Sequence, residues 1–565
     1  MTLFEAIAAA VERQPQRQAL LWIAEDGSRR AWSAEELHQR ALGYRGALAQ
    51  AGLAPHDLVL LALPYDNEAV PLFLGAAYGA AVPALLPYFT ARNDAGTYVE
   101  RALRLATQSQ ARAIVCASEL LPLLRQRLDG DRCLLIDAAL LAQGCDAERG
   151  ARIAAPAPEG LATVQFTSGT TGMQKGVRIS HRAMLRFLDS YGDFVEPDPD
   201  GIVVSWLPLN HDMGLITGVL LPLVRRMQSA ILSPAYWIRA PIVMLRLVDE
   251  LRGTHSWMPN FAFHLLARSL READLSALDL GSWRFVANGA ELVRADSLEA
   301  FCRRLEPYGL RREAIRTGYG MAENVLTASI TNSAPRVDWI DRTQLRAGRA
   351  VPVPPRSNVP PEAAALAVVS NGPPLHQVEL RITDEHHRPL PDRTVGEVCV
   401  RSPHLFDGYH RNPAATAEVL RDGWFRSGDL GYLAEGELYL CGRKKDLIIV
   451  GGNNVHPEDV EAIADRTEGV QPGRAVAFGV ADQDVGTERV ILICELRPEL
   501  AEGSRRSIDR ALRQRVLREL DITLGAVHFV ERGWIVKTTS GKHARAANRD
   551  KYLAELARAG SEDRP

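Results

Sequence analysis

From the N-terminus to about residue 330, apolar runs of strand length alternate with amphipathic stretches of helical length. That alternation constrains the fold more than any other feature, because strands separated by helical connections pair in parallel. Leu58 to Leu63, Ala113 to Cys116 and Val203 to Leu207 read as strands, and Ala34 to Ala51 and Thr97 to Ala106 as helices. Layered α/β architecture is therefore expected. Between Asn332 and Ala364 the texture changes: Pro335, Pro352, Pro354, Pro355, Pro360 and Pro361 crowd together, predicting a loop-rich or inserted segment. From Val378 to Tyr439 short alternating runs such as Gly396 to Arg401 and Glu437 to Leu440 predict a small β subdomain. Strands at Leu447 to Val450, Ala475 to Val480 and Val490 to Leu496 mix with helices in the last section, predicting a smaller α+β unit over 442–565 beside a large one over 1–441.

A chain of 565 residues is too long for one ordinary core. Hydrophobic residues at 46%, charged residues at 24% and a net charge of -3 fit a soluble globular protein without the basic excess that nucleic acid would call for. Seven cysteines, an odd number without C-x-x-C spacing, suggest neither a disulfide framework nor a zinc site. Reduced thiols and a cytoplasmic setting are expected. Glu5 lies in an opening segment that lacks the pattern of a signal peptide. Ala69 to Pro87 is uncharged, yet Pro71, Pro83, Pro87, Gly75 and Gly79 favour a buried helix running into a buried strand over a membrane span.

Five short motifs carry candidate chemistry. Gln165-Phe166-Thr167-Ser168-Gly169-Thr170-Thr171-Gly172-Met173-Gln174-Lys175-Gly176-Val177 follows a strand predicted at Ala162 to Phe166. Its glycines let the backbone approach a ligand, its hydroxyls add donors and Lys175 adds charge, as polyphosphate requires. The Walker order is absent, and alone the cluster also reads as a polar surface turn. Tyr319-Gly320-Met321-Ala322-Glu323 sets an aromatic ring four residues before a carboxylate, suited to stacking on a base and holding Mg2+, or merely an exposed acid after a turn. In Trp424 to Gly431, Asp429 is expected in a tight turn where it could take both ribose hydroxyls. Gly442-Arg443-Lys444-Lys445-Asp446 and Lys537-Thr538-Thr539-Ser540-Gly541-Lys542 read by themselves as a solvated basic turn and a flexible basic tail.

Taken in order, these motifs resemble the adenylate-forming superfamily of acyl-CoA synthetases, firefly luciferases and peptide-synthetase adenylation domains. The resemblance runs from Thr2-Leu3-Phe4-Glu5-Ala6 to Lys542-His543-Ala544-Arg545. Within that superfamily the chain is most similar to fatty acyl-AMP ligases. Ser205 to Leu215 matches their substrate-gate motif, with Asn210 where tyrosine is common, and Pro259 to Phe263 and Asn288 to Leu292 look like theirs. Arg336 to Arg342 lies in the region, about 332–366, where those ligases carry an insertion thought to restrain the C-terminal domain and disfavour CoA. Thr171 to Lys175 and Val450 to Asn454 depart from that subfamily and read more like acyl-CoA synthetases.

The resemblance implies attack of a carboxylic acid on the α-phosphorus of ATP, giving acyl-AMP and pyrophosphate. It assigns Thr167, Ser168, Gly169, Thr170, Thr171, Gly172 and Lys175 to the β- and γ-phosphates, and Thr170 with Glu323 to Mg2+. Asn288, Gly289 and Ala290 would line the base site and Tyr319, with Gly320 and Met321, would lie against adenine. Asp429 would bind the ribose with Arg443 nearby, and His211 would gate an acyl tunnel walled by residues such as Trp206, Met213, Trp257, Met258 and Phe261. His211 reads equally well as a packed structural histidine, and each wall residue as ordinary core. Lys542 is expected to catalyse electrostatically, carried by a mobile C-terminal domain hinged near Lys445 and Asp446. Too little chain follows Lys542 for a phosphopantetheine carrier, so the expected acceptor is a separate acyl carrier protein. CoA is the alternative acceptor, and amino-acid adenylation and non-catalytic nucleotide binding are the alternative activities.

Overall fold

Leucine-rich and β-branched runs supply the strands of two parallel sheets. In the smaller sheet the order is Val82–Leu85, Leu58–Ala62, Ala113–Cys116, Leu134–Asp137, every neighbour parallel. The larger sheet runs Thr327–Ile330, Ile315–Gly320, Phe285–Gly289, His255–Pro259, Ile202–Ser205, Gln228–Leu232, Gln18–Ile23, Arg29–Ser33. Its inner pairs are parallel and only its two outermost pairs antiparallel. The layered α/β reading of the sequence is what forms. The computed structural model describes residues 1–88, 95–128, 133–166, 174–195, 198, 200–353, 365–450, 453–482, 487–498, 500, 502–520, 522–538 and 541–562.

One predicted strand is shorter than expected. Val203 to Leu207 leaves the ladder after Ser205, whose hydroxyl accepts from the Leu207 amide at 3.3 Å and turns the chain before Pro208. Helix Ala34–Gln50 starts where Ser33 and Glu36 form a reciprocal capping box. Ala69–Gly75 and Val82–Leu85 realise the predicted buried helix and strand, and among the described residues no helix is long and apolar enough to cross a membrane.

The β subdomain is a five-stranded sheet in which Trp424–Ala434 is flanked by Gly396–Arg401, Leu420–Arg421 and Glu437–Arg443, with Glu379–Thr383 at the edge. The proline-rich stretch is more ordered than its composition suggests. Val337–Asp341 pairs antiparallel with Ala365–Val369, and Asp341 caps the short helix Arg342–Arg346. Five of the six prolines that suggested a loop lie beyond this strand and helix, and residues 354–364 are outside the described set. At the C-terminal end, Val470–Asp482, Thr487–Leu496 and Leu524–Val530 form a mixed sheet beneath Pro457–Asp465 and Arg505–Leu520. Val460, Ile463, Leu492, Leu512 and Val516 fill a core of its own, separate from the main core that extends from Leu3 to Leu438.

Gly75 permits one close contact on which the N-terminal packing rests. A Cβ there would lie 2.6 Å from the Ala41 carbonyl oxygen and 2.9 Å from the Arg45 amide nitrogen, both backbone atoms of the neighbouring helix. Gly75→Ala is therefore expected to destabilise by about 1–3 kcal/mol, the usual cost of overpacking. Gly503→Ala, where a Cβ meets nothing within 4 Å, is the control. Urea midpoints of the two variants check the difference.

Candidate active site

Asp429 stands opposite Arg443 in the ladder between Trp424–Ala434 and Glu437–Arg443. The tight turn expected around it is instead an irregularity inside a long strand. Gly428 takes φ +73°, and Glu397, which is buried, accepts from the Gly428 amide at 3.2 Å and from Arg426 at 3.0 Å. The kink exposes Asp429 toward the larger sheet. Arg443 Nε lies 3.2 Å from Asp429 Oδ1, and the Tyr319 hydroxyl donates to Oδ2 at 2.8 Å. Burial, followed by the Asp429 charge, pushes the Tyr319 hydroxyl far above the ordinary tyrosine range, so it stays a donor.

Two other predicted residues meet through an unpredicted third. The Tyr409 hydroxyl donates to Glu323 Oε1 at 2.7 Å, and Lys175 Nζ sits 4.7 Å from the centre of the Tyr409 ring. Burial raises the Glu323 carboxyl, Tyr409 opposes the rise, and Asp212 and Asp429 add to it. No cluster of three or more His, Cys, Asp or Glu side chains able to hold a metal ion occurs among the described residues.

Asn288 is the penultimate residue of the strand Phe285–Gly289, fully buried, donating to Asn260 Oδ1 at 3.2 Å while its own Oδ1 has no partner among the described residues. Ala290 follows with φ +66°, a conformation that costs a non-glycine residue energy. Glu291 then accepts from the Phe261 amide at 3.0 Å. His211 stands at the N-cap of the helix beginning at Asp212, and its Nδ1 lies 2.6 Å from Asp212 Oδ1. Burial pushes Asp212 up, but His211 and Lys542 outweigh it and hold the carboxyl below the ordinary aspartate range.

Lys542 arrives from the other end of the chain. Its loop is a turn and not a tail: the Thr538 amide donates to the Lys542 carbonyl at 2.7 Å and the Lys542 amide to Thr538 Oγ1 at 3.1 Å. Gly541 takes φ +87°, and a Cβ there would lie 2.8 Å from the Phe261 ring, which seats the loop against the N-terminal domain. Burial and then Arg443 hold the Lys542 ammonium below the ordinary lysine range, opposed by Glu291, Asp212 and Asp429. Beyond the loop, Arg545 ties together Asp446 at 2.9 Å, Glu458 at 2.7 Å and Glu461 at 2.8 Å.

Thus Tyr319, Asp429, Arg443 and Lys542 come together, as do Glu323 and Lys175 through Tyr409. Thr167, Ser168, Gly169, Thr170, Thr171 and Gly172 lie outside the described residues, and Gly289, Gly320 and Met321 are partly exposed beside the site. Tyr409, Glu291 and Arg545 were not singled out from the sequence. Glu291 and Arg545 lie inside the motifs Asn288 to Leu292 and Lys542 to Arg545 without a role assigned there, and the turn Asp407-Gly408 precedes Tyr409.

A large α/β domain whose polar cleft is closed by a lysine loop from a small C-terminal unit is the architecture of an adenylate-forming enzyme. Residues 7–410 match the AMP-binding enzyme family, to which this chain belongs. It is 32% identical over 553 residues to the long-chain-fatty-acid–AMP ligase FadD26 of Mycobacterium tuberculosis, covering 93% of this chain and 91% of that protein. The 4-hydroxyphenylalkanoate adenylyltransferase of the same species is 32% identical over 558 residues, covering 94% and 84%. A solved structure from work on fatty acyl-adenylate ligases of E. coli and L. pneumophila superposes with a TM-score of 0.88 at 30% identity over 98% of each chain.

The Arg545 knot has a pH signature. Burial would raise Glu461, but Arg545 and His543 outweigh it and hold the carboxyl down to about 2 from 4.5. Between those values the folded state binds fewer protons than the unfolded one, so this stability is present above 4.5 and lost as pH falls through about 2. Arg545→Met strands buried carboxylates and is expected to cost about 3–5 kcal/mol at neutral pH. It should also erase the Glu461 contribution to the acid limb, as thermal melts across that range would register.

Proposed function

We propose that this acyl-adenylate ligase uses ATP to activate a carboxylic acid, fatty or of another acyl type, and passes the acyl group to the phosphopantetheine thiol of a separate carrier protein. The observation that carries the reading is Lys542, brought by its own loop to within electrostatic reach of Asp212, Asp429 and Glu291. Substrate carboxylate and triphosphate are both anions, so a desolvated cation between them offsets their repulsion and stabilises charge developing at the α-phosphorus. The carboxylate oxygen attacks phosphorus, pyrophosphate leaves, and no proton needs to move. Lys542 therefore acts electrostatically.

Asp429 and Tyr319 would hold the ribose and base, with Arg443 screening the carboxylate. The orphaned Asn288 Oδ1 and the backbone of Gly289 and Ala290 suit the adenine edge. Thr167 to Gly172 and Lys175 would hold the leaving pyrophosphate. Glu323, which accepts from Tyr409 through Oε1, would help to hold a Mg2+ together with Thr170, and the ion would neutralise phosphate charge there. His211, fixed by Asp212, would stand at the acyl entrance.

Two readings of the acceptor remain, and one contact favours a carrier protein over CoA. Arg342, on the helix after Val337–Asp341, donates to the Glu519 carbonyl at 3.4 Å, joining the inserted hairpin to the C-terminal unit. The relative FadD26 carries the name of an AMP ligase, which supports the same reading. Domain limits near 441 and 442, with a hinge at Lys445 and Asp446, suit the separate cores. The described cysteines are all free thiols, consistent with a reducing cytoplasm.

Pyrophosphate release with hydroxylamine trapping tests adenylation, and Lys542→Ala should lower it about 100-fold or more. Acyl transfer to a holo carrier protein should outpace transfer to CoA; rapid acyl-CoA formation would reverse that assignment. The pH profile follows from the cation being the working form. For kcat/KM, activity falls as pH rises through a Lys542 value below the ordinary 10.5. Bound triphosphate favours the cation, so the alkaline limb of kcat lies at higher pH.

A further inference from the structure

Gly541 presses on Phe261, and Phe261 packs edge-on against Trp206 and Trp237 with ring centres 5.8 and 6.1 Å apart. Those two indoles stack face to face, 3.7 Å between centres and 3° between planes. They therefore stand one ring behind the loop that carries Lys542. Both are almost fully buried, and neither Nε1–H has an acceptor among the described residues. Asn210, four residues after Trp206, likewise has a buried Oδ1 without a donor.

Two other buried indoles find acceptors: Trp257 donates to the Tyr191 hydroxyl at 2.7 Å and Trp283 to Ser256 at 3.0 Å. Trp22 and Trp32 also lack acceptors, but they make no ring contact with Phe261 or the Trp206 and Trp237 pair. An unpaired buried donor is costly, and two of them one ring behind the Lys542 loop point to a ligand that brings acceptors to them. Straight alkyl chains cannot. In the adenylation reading, a long chain entering past Phe261 would also have to displace two packed indoles to extend further.

Accepting the adenylation reading above, we infer that the acid this enzyme activates carries a polar, hydrogen-bonding group such as a hydroxyl or oxo substituent on a short acyl chain. Trp206 and Trp237 close the chamber and read that group with their N–H donors, and the Asn210 side-chain oxygen accepts from a hydroxyl. Asn210 and the indole pair are thus specificity determinants for the same site.

The test compares hydroxy- and oxo-substituted hexanoates with hexanoate and dodecanoate by pyrophosphate release. In the wild-type enzyme the better substituted acid should exceed hexanoate by about 10-fold or more in kcat/KM, the scale of one satisfied against one orphaned hydrogen bond. Dodecanoate should be the poorest. Trp206→Phe and Trp237→Phe keep a stacked ring and remove the donor, so each should shrink that ratio while the melting temperature confirms folding. Equal use of hexanoate, preference for dodecanoate, or an unchanged ratio in both variants would overturn the inference. Absence of pyrophosphate with every acid would instead sink the adenylation reading, and this inference with it.

Discussion

Charge taken out of water is the constraint on which the rest of this structure depends. A lysine, an arginine and several carboxylates meet where the C-terminal unit rests on the large domain, and none could be buried there alone. The opposing shifts at the site follow: Asp212 is held below its ordinary range because cations reach it, while burial, with Asp212 and Asp429 adding to it, pushes Glu323 above. Lys542 is lowered because desolvation and Arg443 prevail over three carboxylates. Such a site is incomplete as an electrostatic object until a polyanion enters it, which suits a reaction whose substrates are both anions.

Around it the fold acts as a fixture. Asn288 lies at the carboxyl end of a parallel strand, Tyr319 on the next strand, and His211 in the loop after a third, which is where α/β sheets present their ligand-binding loops. The β subdomain contributes Asp429 through a kinked strand, and the same ladder ends in Arg443. Rigid elements thus set Asn288, Tyr319, Asp429 and Arg443, while the lysine comes on a loop.

Much of this was legible in the sequence, and the exceptions have physical reasons. Helix Ala34–Gln50 and the strands Ala113–Cys116 and Gly396–Arg401 match their predicted limits closely, because apolar periodicity and capping are local signals. Val337–Asp341 escaped notice because its ladder partner lies beyond a run of prolines, and pairing is not local. Asp429 was placed in a turn because Ser427-Gly428-Asp429 looks like one, and only Glu397 makes it a kink within a strand. The roles of Tyr409 and Arg545 were not legible for the same reason: their partners lie 86 positions away at Glu323 and 84 to 99 away at Glu461 and Asp446. Motif order foretold that Lys542 would matter, but not the turn or the Phe261 contact that seat it.

Asp429 and Arg443 are ladder partners, and the chain passes into the C-terminal unit within the next three residues. The unit therefore hangs from the cleft wall like a door mounted at the nucleotide side. Rotation about that edge would shift Arg443 little and carry Lys542, nearly a hundred residues further along, through a wide arc. One small angular change could then empty the space over the reacting carbon while leaving the nucleotide's grip almost untouched.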